Sequence, residues 1–119
     1  MVSENTLLTI FLKTGKFNDI CVGQEFNEGE FLDYDLSYDD KGKSGSFWIY
    51  KFGSFQVTLF KGEIFQIGYY SSCILLKSLM TESIFENSYI EEKACYRMPS
   101  GVEVYLDIEN DSCKALIGW

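Results

Sequence analysis

Residues 47–70 read FWIYKFGSFQVTLFKGEIFQIGYY, and this stretch decides the fold class. Three runs rich in aromatic and β-branched residues, Phe47–Phe52, Phe55–Phe60 and Glu63–Tyr70, are separated by Gly53-Ser54 and Lys61-Gly62. Two-residue gaps with a glycine in each fit tight hairpin turns, where glycine supplies the positive φ. In the middle run Phe55, Val57 and Leu59 alternate with Gln56, Thr58 and Phe60. A period of two places the first set on one face of a strand and the second on the other. The stretch therefore predicts an antiparallel meander with one face buried.

Toward the N-terminus, Ser3 is a helix N-cap with Glu4 in the first turn. Leu7, Leu8, Phe11 and Leu12 follow at helical spacing, and Gly15 stops the helix after Lys13. This predicts a short amphipathic helix over residues 4–14. Residues 16–46 hold Gly23, Gly29, Gly42 and Gly45 without a clean period, which reads as loop with one strand around Glu30–Leu36.

Toward the C-terminus, Thr81 reads as the N-cap of a second helix with Ile84, Phe85 and Tyr89 on its inner face. A second meander follows: Lys93–Met98, a turn at Pro99-Ser100-Gly101, Val102–Ile108, a polar turn at Glu109–Ser112, and Cys113–Trp119. The two halves echo each other. Phe55–Leu59 matches Val102–Leu106 in pattern, and Ile67-Gly68-Tyr69 matches Ile117-Gly118-Trp119. The expected fold class is α+β in one domain over 1–119, with a possible internal duplication into 1–70 and 71–119. Two tandem αβββ-like units would form a mainly antiparallel sheet or half-barrel, with short helices packed on it.

Composition narrows the function. Apolar residues make up 46% of the 119-residue chain and charged residues 24%, the ordinary globular range. A net charge of −8 cannot gather phosphates by counterion release, which argues against a nucleic-acid partner. There is no histidine, so the commonest general base and metal ligand is missing. The start of the chain lacks the basic stretch of a secretory signal, and no run approaches the ~20 apolar residues of a membrane span. The expectation is a cytoplasmic protein with no membrane role. Cys21, Cys73, Cys95 and Cys113 form no Cys-x-x-Cys pair, and are expected as reduced thiols, mostly buried, with no metal.

Motifs for chemistry fail on inspection. Asp33-Tyr-Asp35-Leu-Ser37 opens like a calcium loop, but Tyr38 stands where glycine is needed and Ser44 where glutamate is needed. Gly42-Lys43-Ser44 resembles the tail of a phosphate loop, but Ser37 replaces its opening glycine and Asp39 and Asp40 would repel phosphate. Cysteine and serine nucleophiles lack a histidine, and no carboxylate pair is singled out. The chain is expected to be no enzyme and to carry no cofactor.

Charge placement does stand out. Asp19, Glu25, Glu28, Glu30, Asp33, Asp35, Asp39 and Asp40 lie in one window without a Lys or Arg, and the remaining ten acids balance all ten bases. Phe26, Phe31, Tyr34 and Tyr38 are interleaved with them. Acids steer a basic partner and rings can anchor it, so the window reads as a docking surface. Its expected partner-binding residues are Glu25, Glu28, Glu30, Asp33, Tyr34, Asp35, Tyr38, Asp39 and Asp40. The competing reading is a solvated loop whose rings anchor it to the core.

The meander from Trp48 through Tyr50, Phe52-Gly53, Phe55, Val57, Leu59-Phe60 to Ile64 and Ile67 resembles the core of small bacterial immunity-type proteins found beside polymorphic toxins, including those of contact-dependent growth-inhibition systems. Thr81 to Ile84-Phe85 and Gly101-Val102, Val104 and Leu106-Asp107 resemble the second unit of that group. The resemblance covers roughly residues 1–15 and 45–119 and rests on apolar and turn positions. It implies a non-catalytic, cytoplasmic protein that binds and blocks one cognate toxin domain, commonly a basic nuclease. The acidic window lies outside it, so no functional residue carries over. The alternative is a small scaffold or regulatory domain with a basic protein ligand, and behind that an enzyme of unrecognised type.

Overall fold

The structure, a computed structural model, describes residues 3–71, 89–93, 95–107, 109–110 and 112–118. The chain opens with α1 (Glu4–Thr14), the helix expected at these positions. The Ser3 hydroxyl accepts the Thr6 N–H at 3.2 Å, and the Gly15 N–H closes the helix on the Phe11 carbonyl at 2.7 Å. Gly15 is needed there twice over. Its φ is 75°, and a Cβ would stand 2.8 Å from Cδ1 of Ile117. Leu8, Phe11 and Leu12 form the buried stripe.

Four strands follow a short second helix, α2 (Glu30–Asp33): β1 (Asp40–Ser44), β2 (Phe47–Phe52), β3 (Phe55–Phe60) and β4 (Glu63–Ser71). The second group is β5 (Tyr89–Ile90), β6 (Cys95–Arg97), β7 (Glu103–Asp107) and β8 (Ser112–Gly118). They make one antiparallel sheet of eight strands among the described residues, in the order β1-β2-β3-β4-β8-β7-β6-β5. Each meander thus has four strands where three were expected. The two meet at β4 and β8, where Ile67 lies opposite Ile117.

The hairpin turns stand where the glycines put them. Lys61 and Gly62 both have positive φ, 51° and 80°, as a type I′ turn requires. Phe55 and Val57 are fully buried and Leu59 nearly so, while Gln56, Thr58 and Phe60 are half-buried on the other face. Val102 and Val104 join the core, and Leu106 packs against it half-buried. Both helices cover this one face. Phe11 of α1 meets Phe55 edge-on at 5.7 Å, and Phe31 of α2 lies 5.0 Å from Tyr50 and 5.1 Å from Phe52, centroid to centroid.

Four expectations are corrected or fall outside view. Glu30–Leu36 is no strand: Glu30–Asp33 is helical, because three successive i to i−3 bonds wind the chain from Asn27. Asp40–Ser44, expected as loop, is the edge strand β1; it has no apolar residue, so no period could announce it. Tyr89 opens β5 instead of lining a helix, and the helix proposed from Thr81 lies outside the described residues. Cys21 and Cys95 are free, but Cys113 is disulfide-bonded, which corrects the expectation of thiols throughout. No helix of the described residues is long and apolar enough to cross a membrane.

Candidate partner-docking surface

The acidic window is pinned to the sheet at both ends. The Phe26 N–H donates to the Gly62 carbonyl and the Asp39 N–H to the Lys51 carbonyl, each at 2.7 Å. Between these points the chain turns through α2. Asn27 Nδ2 donates to Glu30 Oε1 at 3.0 Å, a side-chain contact across the entry to the helix. The exit is a Schellman closure: the Leu36 N–H reaches the Phe31 carbonyl at 2.9 Å and the Asp35 N–H reaches that of Leu32 at 3.0 Å. Asp35 holds the left-handed position, φ 56°, where glycine is the usual occupant. Phe31 and Leu36, the two ends of the closure, are both in the core.

The rings of the window aim inward. Phe26 and Phe31 are buried and lie 4.7 Å apart. Tyr34 stacks on Phe26 at 5.7 Å, and Tyr38 meets Tyr50 edge-on at 5.0 Å. Tyr34 and Tyr38 are half-buried against the core. The reading of the rings as core anchors therefore accounts for most of their surface.

The nine residues marked from the sequence separate into three groups. Glu28 and Tyr38 are brought together: the Tyr38 hydroxyl donates to Glu28, and Lys41 Nζ lies 2.9 Å from the same carboxylate. Tyr50, from β2, reaches its other oxygen at 3.5 Å. The Tyr38 hydrogen bond, then that of Lys41, holds the Glu28 carboxyl below its ordinary value. Their separate bonds to Glu28 raise Tyr38 and Lys41, while Tyr50 is raised first by burial. A second group serves the backbone. Glu30 and Tyr34 hold α2 through Asn27 and Phe26, Asp39 accepts the Gly53 N–H of the β2–β3 turn, and Asp40 Oδ1 accepts the Lys41 N–H at 2.9 Å.

The third group is Glu25, Asp33 and Asp35, all exposed. Among the described residues the ion pairs are Lys41–Glu28, Lys93–Glu103 and Arg97–Glu103, so none of these three carboxylates has a cation partner there. Next to Asp33 in the chain stands Leu32, its surface 74% exposed, the most exposed large apolar residue among the described residues. Sequence reasoning passed over Leu32. The signal that could have found it was the run Glu30-Phe31-Leu32-Asp33, two apolar neighbours between acids that a helical turn points apart. It also passed over Lys41, just beyond the window, as the partner of Glu28.

Among the described residues no three or more Cys, Asp or Glu side chains gather as a metal-binding group. No protein family, curated protein or solved structure that was compared matches this chain.

Proposed function

We propose that this is a non-catalytic immunity-type protein that binds and neutralises a cognate toxin domain, a basic one such as a nuclease, through the outer surface of α2. The observation that carries the reading is Leu32, 74% exposed on a hydrogen-bonded turn that also carries Asp33 and Asp35, two exposed carboxylates with no cation partner among the described residues. Such a surface offers an apolar contact with neighbouring acids that a basic partner can satisfy. Asp35 supports it, since an acid keeps a backbone position that glycine would occupy with less strain.

With this reading goes the internal duplication into two tandem units. It is supported by the junction of the sheet, where Gln66 pairs with Gly118, Ile67 with Ile117 and Gly68 with Leu116. A shift of fifty residues carries each of those β4 positions onto a β8 position, and the pairing reads the same from either meander. The compartment proposed is the cytoplasm of the cell to be protected. One observation weighs against it, because disulfides such as that of Cys113 belong to oxidising compartments.

The test is co-purification with the product of the reading frame immediately upstream, followed by the same capture with Leu32→Ser/Asp33→Asn/Asp35→Asn. Capture of a toxin domain that the triple variant loses supports the reading. Capture of a basic host protein in its place would favour a regulatory scaffold, and undiminished capture by the variant would exclude α2 as the contact.

A further inference from the structure

The face of the sheet away from α1 carries a second arrangement, independent of the α2 surface. Glu103, Tyr105 and Leu116 alternate with the buried Val104 and Ala115, so they project from that opposite face. Arg97 lies across from Glu103 in the β6–β7 ladder, and Leu116 lies between Glu103 and Gly68. Arg97 donates Nη2 and Nε to Glu103 Oε2 at 2.8 and 3.3 Å, and Lys93 Nζ reaches the same oxygen at 3.2 Å. The Tyr105 hydroxyl donates to Oε1 at 3.3 Å. Around them opens a cavity of about 580 Å³ lined also by Gln66 and Leu116. That volume is in the range of small-molecule pockets.

The charges in this cavity do not balance. Two cations converge on one carboxylate oxygen, leaving one positive charge in a chain whose net charge is −8. Lys114, outside the lining, stands 5.1 Å from the centroid of the Tyr105 ring. Guanidinium and ammonium together present eight N–H donors, and the bonds to Glu103 use three of them. Half of the Lys93 and Arg97 side-chain surface is open to solvent. Tyr105 and Leu116 offer an aromatic and an apolar wall beside these donors.

We propose that this cavity binds a small organic oxyanion, its carboxylate or phosphate head held by Arg97 and Lys93 and its apolar body laid against Tyr105 and Leu116. Glu103 then has two roles. It holds the two cations in place when the cavity is empty, and it competes with the incoming anion for their donors. Burial, and then the charge of Glu103, push the Tyr105 phenol up to about 12, so it stays a neutral donor over the physiological range.

The experiment is a titration of the full chain, followed by amide NMR shifts, with benzoate, phenyl phosphate and inorganic phosphate, and with benzylamine as the cationic control. The expected result is saturable shifts at β6, β7 and β8 with the ring-bearing anions, weaker ones with inorganic phosphate, and none with benzylamine. Preference between benzoate and phenyl phosphate assigns the head group, and either preference supports the site. Arg97→Gln and, separately, Lys93→Gln should each weaken binding at least about tenfold, the scale of a charge-assisted hydrogen bond. Glu103→Gln should strengthen it several-fold. Lys93 lies outside the strands, so its variant keeps the test decisive if Arg97→Gln proves unfolded. Absence of saturable shifts with every anion up to about 10 mM, the weak end of useful affinity, overturns the proposal. So does a Glu103→Gln variant that binds less well than the native chain.

Discussion

The Ser100 hydroxyl donates to the Leu12 carbonyl at 2.9 Å, joining residues 88 positions apart. Ser100 belongs to the turn between β6 and β7, and Leu12 to the last turn of α1. At the other end of α1 the Glu4 carboxylate accepts the Ser54 N–H, in the β2–β3 turn, at 2.9 Å. A single helix is therefore fastened to a hairpin of each meander. The Ser100 hydroxyl thereby satisfies the Leu12 carbonyl, one of the helix-end acceptors that lack an intrahelical donor.

Ser100→Ala should cost about 0.5–1.5 kcal/mol of stability, the net worth of one such hydrogen bond. Urea unfolding followed by far-UV circular dichroism measures it. Because the bond couples α1 to the second meander, amide exchange in α1 should quicken in the variant.

Leu59 and Leu106 occupy similar pattern positions but differ in burial, Leu59 at 5% exposed and Leu106 half-buried. Leu59→Ala should therefore cost about 2–5 kcal/mol and Leu106→Ala distinctly less. Equal losses in denaturant titrations would show that the two halves bury these residues alike.

The carboxyl of Glu28 is held below its ordinary 4.5 by Tyr38 and Lys41, and that of Glu103 is lowered by Arg97 and then Lys93. A lowered folded value means that the stabilisation is fully present above the unfolded value and is lost as pH falls through the folded one. Stability should accordingly decline from about pH 5 downward. Glu28→Gln should shrink the decline, measured as the difference in urea midpoint between pH 6 and pH 3. An unchanged difference would show that the Tyr38 and Lys41 contacts do not persist in solution.

Neutralising Asp33 and Asp35 to Asn should slow association with a basic partner and flatten its salt dependence, since fields at an exposed surface are screened over ~10 Å at 0.1 M salt. Leu32→Ala should instead raise the dissociation rate about 10-fold or more, the scale of burying a leucine side chain. Glu91→Gln/Glu92→Gln, exposed acids elsewhere, serves as the control in the same surface plasmon resonance series. Matching effects from both acid pairs would mean that net charge acts and α2 does not.

Cys95 is buried and Cys113 is bonded, whereas Cys21 is half-buried. Iodoacetamide on the native protein should therefore label Cys21 well ahead of Cys95 and leave Cys113 unlabelled until a reductant is added, as peptide mass spectrometry would show. Labelling of Cys113 without reductant would contradict the bond.

Local signals sufficed wherever one residue's conformational demand or one face's burial set the answer. Ser3 and Gly15 bound α1 because capping is decided within a turn of chain. The turns at Gly53 and Lys61-Gly62 and the alternation of Phe55 to Phe60 specified three strands, since register and inward face follow from turn length and a period of two. The acidic charge was equally plain, being a sum over residues. Tertiary structure decided the rest. Strand β1 exists because Asp40–Ser44 pairs with β2, a gain that polar residues do not advertise. The same neighbourhood turned Phe31 and Tyr38 inward and left Leu32 out, because sheet residues Tyr50 and Phe52 supplied the surface that those rings cover. Lys93, Arg97 and Glu103 meet only because the β6–β7 turn folds them onto one face, a proximity fixed by pairing and absent from their spacing.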